Sequence, residues 1–190
     1  MVLEESEREL IEECRRGAPE AFRALFERYK DLVYSVAFRY SGEQSAAEDI
    51  AQETFLKALV GIRAFRGESG LKTWLYRLTV NSCLDQKRRR NRLTPLVDEA
   101  LSILRAPDLT AFDDLLRAEL STRVRAVVAT LHDEHRMLIV LRYTENLSYD
   151  EIAAVLGCST GTVASRLSRV HKVLARRLAR IAGGKGPSHD

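Results

Sequence analysis

Residues 159–177, STGTVASRLSRVHKVLARR, open with small hydroxyl residues and glycine and then turn basic without one carboxylate. From 159 to 181 there are six bases and no acid, and QKRRRNR (86–92) holds five bases and no acid. Ammonium and guanidinium groups in such runs suit phosphate oxygens, so each run is a candidate footprint for nucleic acid. A solvated helix end that complements the macrodipole would have the same composition, so neither run decides the matter alone. Residues 1–20 have the opposite balance, seven acids against three bases, and the net charge of +3 hides this segregation. Bond-making chemistry has no comparable signature. There is no glycine-rich phosphate loop and no Ser/His/Asp arrangement, and HDEH (132–135) lacks H-E-x-x-H spacing. The expectation is a binding protein, not an enzyme, with no catalytic residue, no metal and no cofactor.

The elements that must carry these runs are helical. The chain has 190 residues, 45% of them hydrophobic, few glycines and prolines and few strand-like runs, which predicts an all-α fold. In 19–40, Phe22, Leu25, Phe26, Tyr29, Leu32, Val33, Val36 and Ala37 follow i, i+3, i+4 spacing and form a candidate core stripe. SGE (41–43) interrupts it. Ser45 with Glu48 then reads as a capping box opening a helix to about Arg63. FRGESG (65–70) is a loop, and 71–90 is a helix apolar around much of its circumference, as a central bundle helix is. Pro95 and Pro107 mark a weakly patterned linker over 93–111, with at most a short helical piece at 98–105. Helical patterning resumes over 112–130, 132–144, 148–156 and 160–181. The predicted organisation is two small helical domains, 1–92 and 112–182, joined by a flexible linker and followed by a tail at 183–190. Cys14, Cys83 and Cys158 are odd in number and widely spaced, which suits reduced thiols packed as small hydrophobes in a cytoplasmic protein. No apolar run has signal or membrane length, so no membrane insertion is expected.

The segment 147–170, LSYDEIAAVLGCSTGTVASRLSRV, has the grammar of a short helix, a tight turn and a longer helix. Ser148 and Glu151 make a capping box, Gly157 supplies a left-handed stop, and Ser159 can cap the second helix. Val163, Leu167, Val170, Leu174 and Leu178 fall on one side of that helix, with Thr162, Ser165, Arg169, Lys172 and Arg176 opposite. This predicts a helix-turn-helix whose second helix enters a major groove. Small residues at its start permit close approach to base edges, and the later bases meet the backbone.

Two further stretches carry information. In AAEDIAQETFLKAL (46–59), Ala47, Ile50, Ala51, Thr54, Phe55 and Ala58 make an apolar arc for the core. Asp49, Gln52, Glu53 and Leu56 share the other side, an apolar anchor with a polar rim such as a protein-docking patch presents. In 65–90, Trp74, Tyr76 and Asn81 lie between an arginine-bearing loop and the basic run. Flat faces beside cations suit single-stranded nucleic acid, although Trp74 shares its side with Leu71, Leu75 and Leu78 and is first a core candidate.

Taken in order, AAEDIAQETFLKAL, FRGESGLKTWLYRLTVNSCLDQKRR and LRYTENLSYDEIAAVLGCSTGTVASRL resemble the bacterial RNA polymerase sigma factors of the extracytoplasmic-function (ECF) group, over about residues 18–180. The resemblance implies a first domain that docks on RNA polymerase core through Asp49, Gln52, Glu53 and Leu56. It implies that the same domain captures the unwound non-template strand of the downstream promoter element through Phe65, Arg66, Gly67, Ser69, Lys72, Tyr76, Arg77 and Asn81. Lys87, Arg88, Arg89 and Arg90 would meet phosphates. The second domain would read the duplex upstream element through Ser159, Thr160, Thr162, Ser165, Arg166, Arg169 and Lys172. An anti-sigma factor is a further implied partner. The chain departs from the pattern at Ala164, where relatives often carry Lys or Arg, and at LHDEHR (131–136), which replaces a more usual Leu-Pro-Pro. A linker of roughly 19 residues at about 3.3 Å each reaches about 60 Å, close to two turns of DNA at about 34–36 Å each, so one chain could hold both elements. The sequence leaves two other readings open. One is an operator-binding regulator that uses only the C-terminal helix pair; the other is a sigma-mimicking interaction module.

Overall fold

A computed structural model describes residues 5–93, 124 and 126–182. Among these residues all regular structure is helical. The predicted linker beyond Leu93, most of 112–130 and the tail lie outside them.

Helix α1 (Glu5–Arg16) is legible in sequence only as an acidic stretch. It forms because Ile11 and Cys14, one turn apart, bury against the bundle, while Arg15 and Arg16 complement the dipole in the last turn. Helix α2 (Pro19–Ser41) starts on a proline whose missing N–H costs nothing there. It stops at Gly42, which adopts φ 74° and donates its N–H to the Phe38 carbonyl at 2.8 Å. Leu25, Tyr29, Val33, Val36, Ala37 and Tyr40 form its buried stripe.

Helix α3 (Gln44–Gly61) corrects one expectation. The Gly42 turn leaves Glu43 extended (φ −136°, ψ 132°), so the helix starts directly after it and Ser45 already lies inside the first turn. The predicted Ser45–Glu48 capping box is therefore absent. Ser45 Oγ donates to Glu43 Oε1 at 3.0 Å, and Glu48 Oε1 accepts from Gln44 Nε2 at 2.9 Å. A 3₁₀ turn, Ile62–Ala64, follows. Helix α4 (Leu71–Leu93) runs three residues past its predicted end and is central, as its apolar circumference implies. Leu71, Leu75, Tyr76, Thr79, Val80, Ser82 and Cys83 are all buried on it. The buried hydroxyls of Thr54 and Thr79 donate to the carbonyls of Ile50 and Leu75, each at 2.8 Å, so neither is stranded in the core.

In the C-terminal half a helical stretch at 126–129 precedes α5 (Asp133–Ile139), which widens into a π turn at Val140–Thr144. Glu145 closes that turn with its N–H on the Val140 carbonyl at 3.1 Å. The HDEH stretch is thus a charged helix start, with His132 at the N-cap and Asp133 and Glu134 in the first turn. Helices α6 (Tyr149–Leu156) and α7 (Thr160–Ala182) complete the described chain.

One packing feature is not legible in sequence. Beside an N-terminal cluster around Leu25, Val33, Ile62, Leu71 and Leu75, a second buried cluster combines both halves. It sets Val36, Tyr40, Ile50, Tyr76, Val80 and Cys83 against Leu131, Met137, Leu138, Leu141, Ile152 and Leu167. At about 1.5–3 kcal/mol per fully buried large side chain, this shared cluster holds the two helical regions together.

Candidate functional site

Three solvent-facing or interface surfaces carry the predicted residues. On α3, Asp49 and Gln52 are exposed and Leu56 is 57% exposed. Glu53 is set apart. Its side chain is 23% exposed and turns toward α4, where it pairs with Lys57 at 2.9 Å and with Arg89 through two 3.3 Å contacts. Lys57 also reaches Ser82 Oγ at 3.1 Å and Asp85 at 3.4 Å. Glu53 thereby ties α3 to α4, an arrangement that depends on a partner 36 positions away in sequence.

Sequence reasoning missed what Leu56 borders. A groove of about 480 Å³ runs between α2 and α3, with Phe22, Phe26, Tyr34, Phe55, Leu56 and Leu59 on its walls and Lys30, Asp31, Glu48 and Gln52 at its rim. Helical spacing puts Phe22 and Phe26 in the core stripe; Phe26 is instead 40% exposed and Phe22 half-buried. The reason is geometric: the apolar arc of α2 is wider than the strip that α3 and α4 can cover. Phe26 packs on Phe55 with ring centroids 4.7 Å apart, and Tyr34 stacks on Phe38 at 6.0 Å. Val60 extends the apolar surface at the end of α3. The signal was the i+4 row Phe22, Phe26, Lys30, Tyr34, Phe38, aromatic at every step but Lys30 and continuing beyond the buried stripe.

The loop 65–70 and the outer part of α4 form the second surface. Phe65 is buried, its ring 5.0 Å from that of Trp74, so it forms the floor of the loop and does not project from it. Arg15 of α1 donates to the Phe65 carbonyl from the other side. Trp74 in turn lies across Gly61, where a β-carbon would come within 3.2 Å of the indole. Above this floor Arg66 is 84% exposed, 3.9 Å from Glu68, with Gly67 at φ 73° forming the bend and Ser69 half-buried. Lys72 and Asn81 are exposed, the Lys72 ammonium 5.9 Å from the Tyr76 ring centroid. Tyr76 and Arg77 face the C-terminal half. Tyr76 is buried and donates to Glu145 Oε2 at 3.0 Å; burial first, and then the Glu145 carboxylate, raise its pKa well above the phenol range. Arg77 Nε donates to the Ala154 carbonyl at 2.7 Å. Along the basic run, Lys87 is half-buried, Arg88 is exposed beside Asp85 at 3.8 Å, Arg89 holds Glu53, and Arg90 sits in the last turns of α4.

The third surface is the helix pair α6–α7, which matches its sequence reading closely. Ser148 Oγ accepts from the Glu151 N–H at 3.2 Å while Glu151 Oε2 accepts from the Ser148 N–H at 2.7 Å. These bonds to Ser148 lower the Glu151 pKa below its ordinary value. Gly157 adopts φ 63°. Ser159 Oγ accepts from the Thr162 N–H at 3.2 Å and lies 2.8 Å from the Thr162 hydroxyl. Thr160 Oγ1 donates to Asp150 at 2.7 Å and links the start of α7 to α6, and Ser165 Oγ donates to the Thr162 carbonyl at 3.0 Å. Val163, Leu167 and Val170 are buried; Ser165, Arg169 and Lys172 are exposed on the far side and Arg166 is half-buried. The result is a rigid helix presenting hydroxyls and then cations, on a segment without a carboxylate to neutralise them.

Cys14 and Cys83 are buried and Cys158 half-buried, and burial raises the thiol pKa of the first two, so they remain protonated packing groups. Among the described residues no group of three or more His, Cys, Asp or Glu is placed to hold a metal, and no helix is long and apolar enough to cross a membrane.

Residues 25–93 match the family model described as Sigma-70 region 2, and residues 121–173 match Sigma-70, region 4. These blocks coincide with the groove-and-loop half and the helix-pair half. The RNA polymerase sigma-H factor of Pseudomonas aeruginosa is 31% identical, over 94% of this chain and 96% of its own length. The ECF RNA polymerase sigma factor SigW of Bacillus subtilis is 32% identical, over 88% and 94% respectively. Among solved structures, the sigma factor RpoE of Bartonella quintana, in complex with the anti-sigma factor NepR, shares the fold at a TM-score of 0.64 and 28% identity, covering 83% of this chain and 96% of that one. The chain belongs to the bacterial sigma factors, in their extracytoplasmic-function group. It is an alternative sigma factor that directs RNA polymerase to promoters, and it is not itself an enzyme.

Proposed function

We propose that the three surfaces divide this work between them. The α2–α3 groove docks on RNA polymerase core, with Leu56 as anchor, Asp49 and Gln52 on the rim, and Phe26 and Leu59 widening the apolar contact. The observation that carries this is the exposure of Leu56 and Phe26 on one groove of about 480 Å³, since contiguous exposed apolar surface is costly unless a partner covers it. Glu53 supports this face by holding α4 in place. The outer end of α7 reads the upstream element as duplex: Ser165, Arg166 and Arg169 near bases, Lys172 on phosphate, with Ser159, Thr160 and Thr162 at the leading edge of the helix. The rigid turn favours this, because base readout requires side chains fixed relative to the groove.

The loop 65–70 and α4 take the unwound downstream strand. Arg66, Lys72 and Asn81 lie open to it, half-buried Gly67 and Ser69 shape the loop, Phe65 supports it from beneath, and Tyr76 and Arg77 line the same helix toward the C-terminal half. Lys87, Arg88 and Arg90 supply phosphate contacts, with Arg89 shared between phosphate and Glu53. Unstacking a base costs a few kcal/mol, which contacts on this surface and to the backbone offset. The protein acts in the bacterial cytoplasm, where the polymerase is. The likeness to a relative solved with an anti-sigma factor supports an inhibitory partner for this chain as well. Transcription from a supercoiled promoter library by bacterial core polymerase, with and without the protein, tests the reading. Discrete new start sites sharing an upstream sequence are expected. Tight core binding without transcripts would instead identify a sigma mimic.

A further inference from the structure

Helix α1 belongs to none of the proposed binding surfaces, yet one of its side chains reaches the strand-facing loop. Ile11 and Cys14 bury α1 in the same cluster as Phe65 and Leu71, and Tyr29 of α2 donates to Glu7 Oε1 at 3.0 Å. The helix is therefore seated on the N-terminal bundle along its length. Arg15 stands in its last turn. Its Nη1 is held by the Glu12 carboxylate one turn earlier, and its Nη2 donates to the Phe65 carbonyl, a partner 50 positions away. The other supports of the loop come from the elements it joins. At its far end the Trp74 N–H donates to the Gly70 carbonyl at 3.1 Å. At its near end the Phe65 N–H donates to the Ile62 carbonyl at 3.3 Å, and the Phe65 ring lies 5.0 Å from that of Trp74. Arg15 is the tie that comes from outside this local frame.

The carbonyl of Phe65 and the N–H of Arg66 belong to one planar peptide. Holding that carbonyl fixes the plane, and with it the direction in which the chain leaves toward Arg66, 84% exposed, and the bend at Gly67. We propose that Arg15 is a positioning residue for the downstream strand: by bonding the Phe65 carbonyl it sets the entry peptide of the loop 65–70, so that α1, from outside the contact surfaces, governs how selectively the loop takes the strand. This rests on the strand-reading role proposed for that loop. A guanidinium suits the task, because its rigid fork serves the carboxylate and the carbonyl from different nitrogens at once. A loop already held in its binding conformation loses less entropy when the strand arrives, and it is less free to reshape itself around a wrong base.

The test uses the full chain assembled with bacterial core polymerase. The ligands are labelled single-stranded oligonucleotides carrying the downstream element of a promoter recovered from the transcription screen, intact or with one base replaced in turn. The readout is the ratio of the intact to the replaced affinity. Both oligonucleotides meet the same folded fraction, so a loss of stability alone leaves the ratio unchanged. Arg15→Ala is expected to lower the ratio at the most strongly discriminated base about fivefold, with affinities for core polymerase and for upstream duplex at the parent's values. Arg15→Lys keeps a donor for the carbonyl and should retain most of the ratio. Glu12→Ala, a change at an exposed position that leaves the buried face of α1 intact, should lower it in the same direction by less. Arg66→Ala, in the loop itself, is the reference and should lower the same ratio at the same base. An unchanged ratio in both Arg15→Ala and Glu12→Ala, beside a loss in Arg66→Ala, would overturn the positioning role while leaving the loop's own role standing. A loss as large in Arg15→Lys as in Arg15→Ala would overturn the carbonyl bond as its cause. No loss in any variant would remove strand reading from the loop, and the proposal with it.

Discussion

The α2–α3 groove and the outer face of α7 are both turned to solvent, and they are chemically opposite. The groove is walled by Phe22, Phe26, Tyr34, Leu56 and Leu59, with a mixed-charge rim of Lys30, Asp31 and Glu48. The α7 face has hydroxyls followed by Arg169 and Lys172 and no carboxylate from 159 to 181. Water solvates the second face at no cost, and only a polyanion gains much by replacing that water. The first face is poorly solvated and gains most from an apolar partner that dries it. A protein that must join an enzyme to DNA needs both kinds of surface, and here each sits on a different half, positioned by helices whose inner faces are ordinary core.

Changes that exchange the chemistry of the two faces should separate their functions. Leu56→Asp puts a charge on the wall of the groove and should cost core polymerase binding at least about 2 kcal/mol, the scale of an interface hot spot, while leaving helicity and the α7 face unaffected. Titration of labelled core polymerase checks it, and unchanged affinity would move the docking face elsewhere. Arg169→Ala should weaken upstream-element binding by about 1–3 kcal/mol if it meets a base, and by a sequence-independent amount if it meets phosphate; binding to matched and scrambled duplexes tells these apart. Ser148→Ala removes half of the capping box and should cost about 1 kcal/mol of stability, read as a shift in the chemical-denaturation midpoint. The box also has a sign with pH. The bonds to Ser148 hold the Glu151 carboxyl below its ordinary value of 4.5. The stabilisation is therefore fully present above that value and is lost as pH falls through the lowered pKa. The parent's advantage over Glu151→Ala, which removes the carboxylate itself, should shrink on acidification within that window, and growth of the advantage there would contradict the geometry of the cap.

The two halves also differ in how much of them can be read in the sequence. The α6–α7 pair is legible almost residue by residue, because each boundary is fixed by a neighbour in sequence: Ser148 with Glu151, Gly157 at its left-handed turn, Ser159 with Thr162. The start of helix α3 is not, because the Gly42 turn and the extended Glu43, rather than the hydroxyl at Ser45, decide where it begins. Leu56 stands out from its own helix, but the groove does not. Which part of α2's apolar arc stays uncovered depends on where α3 crosses it, and periodicity does not encode that. Glu53 shares a helix face with Leu56 and becomes a seam residue through Arg89, a partner visible only in three dimensions. The shared cluster beneath Glu145 is non-local in the same way, and so the burial of Tyr76 and the engagement of Arg77 are not readable from α4 alone.

The most direct test of the division of labour places a photo-crosslinking amino acid at Leu56 in one preparation and at Ser165 in another, each assembled with core polymerase on a promoter recovered from the transcription screen. The account predicts that the probe at Leu56 labels a polymerase subunit and the probe at Ser165 labels upstream duplex DNA. Labelling of DNA from Leu56, or of polymerase alone from Ser165, would contradict it.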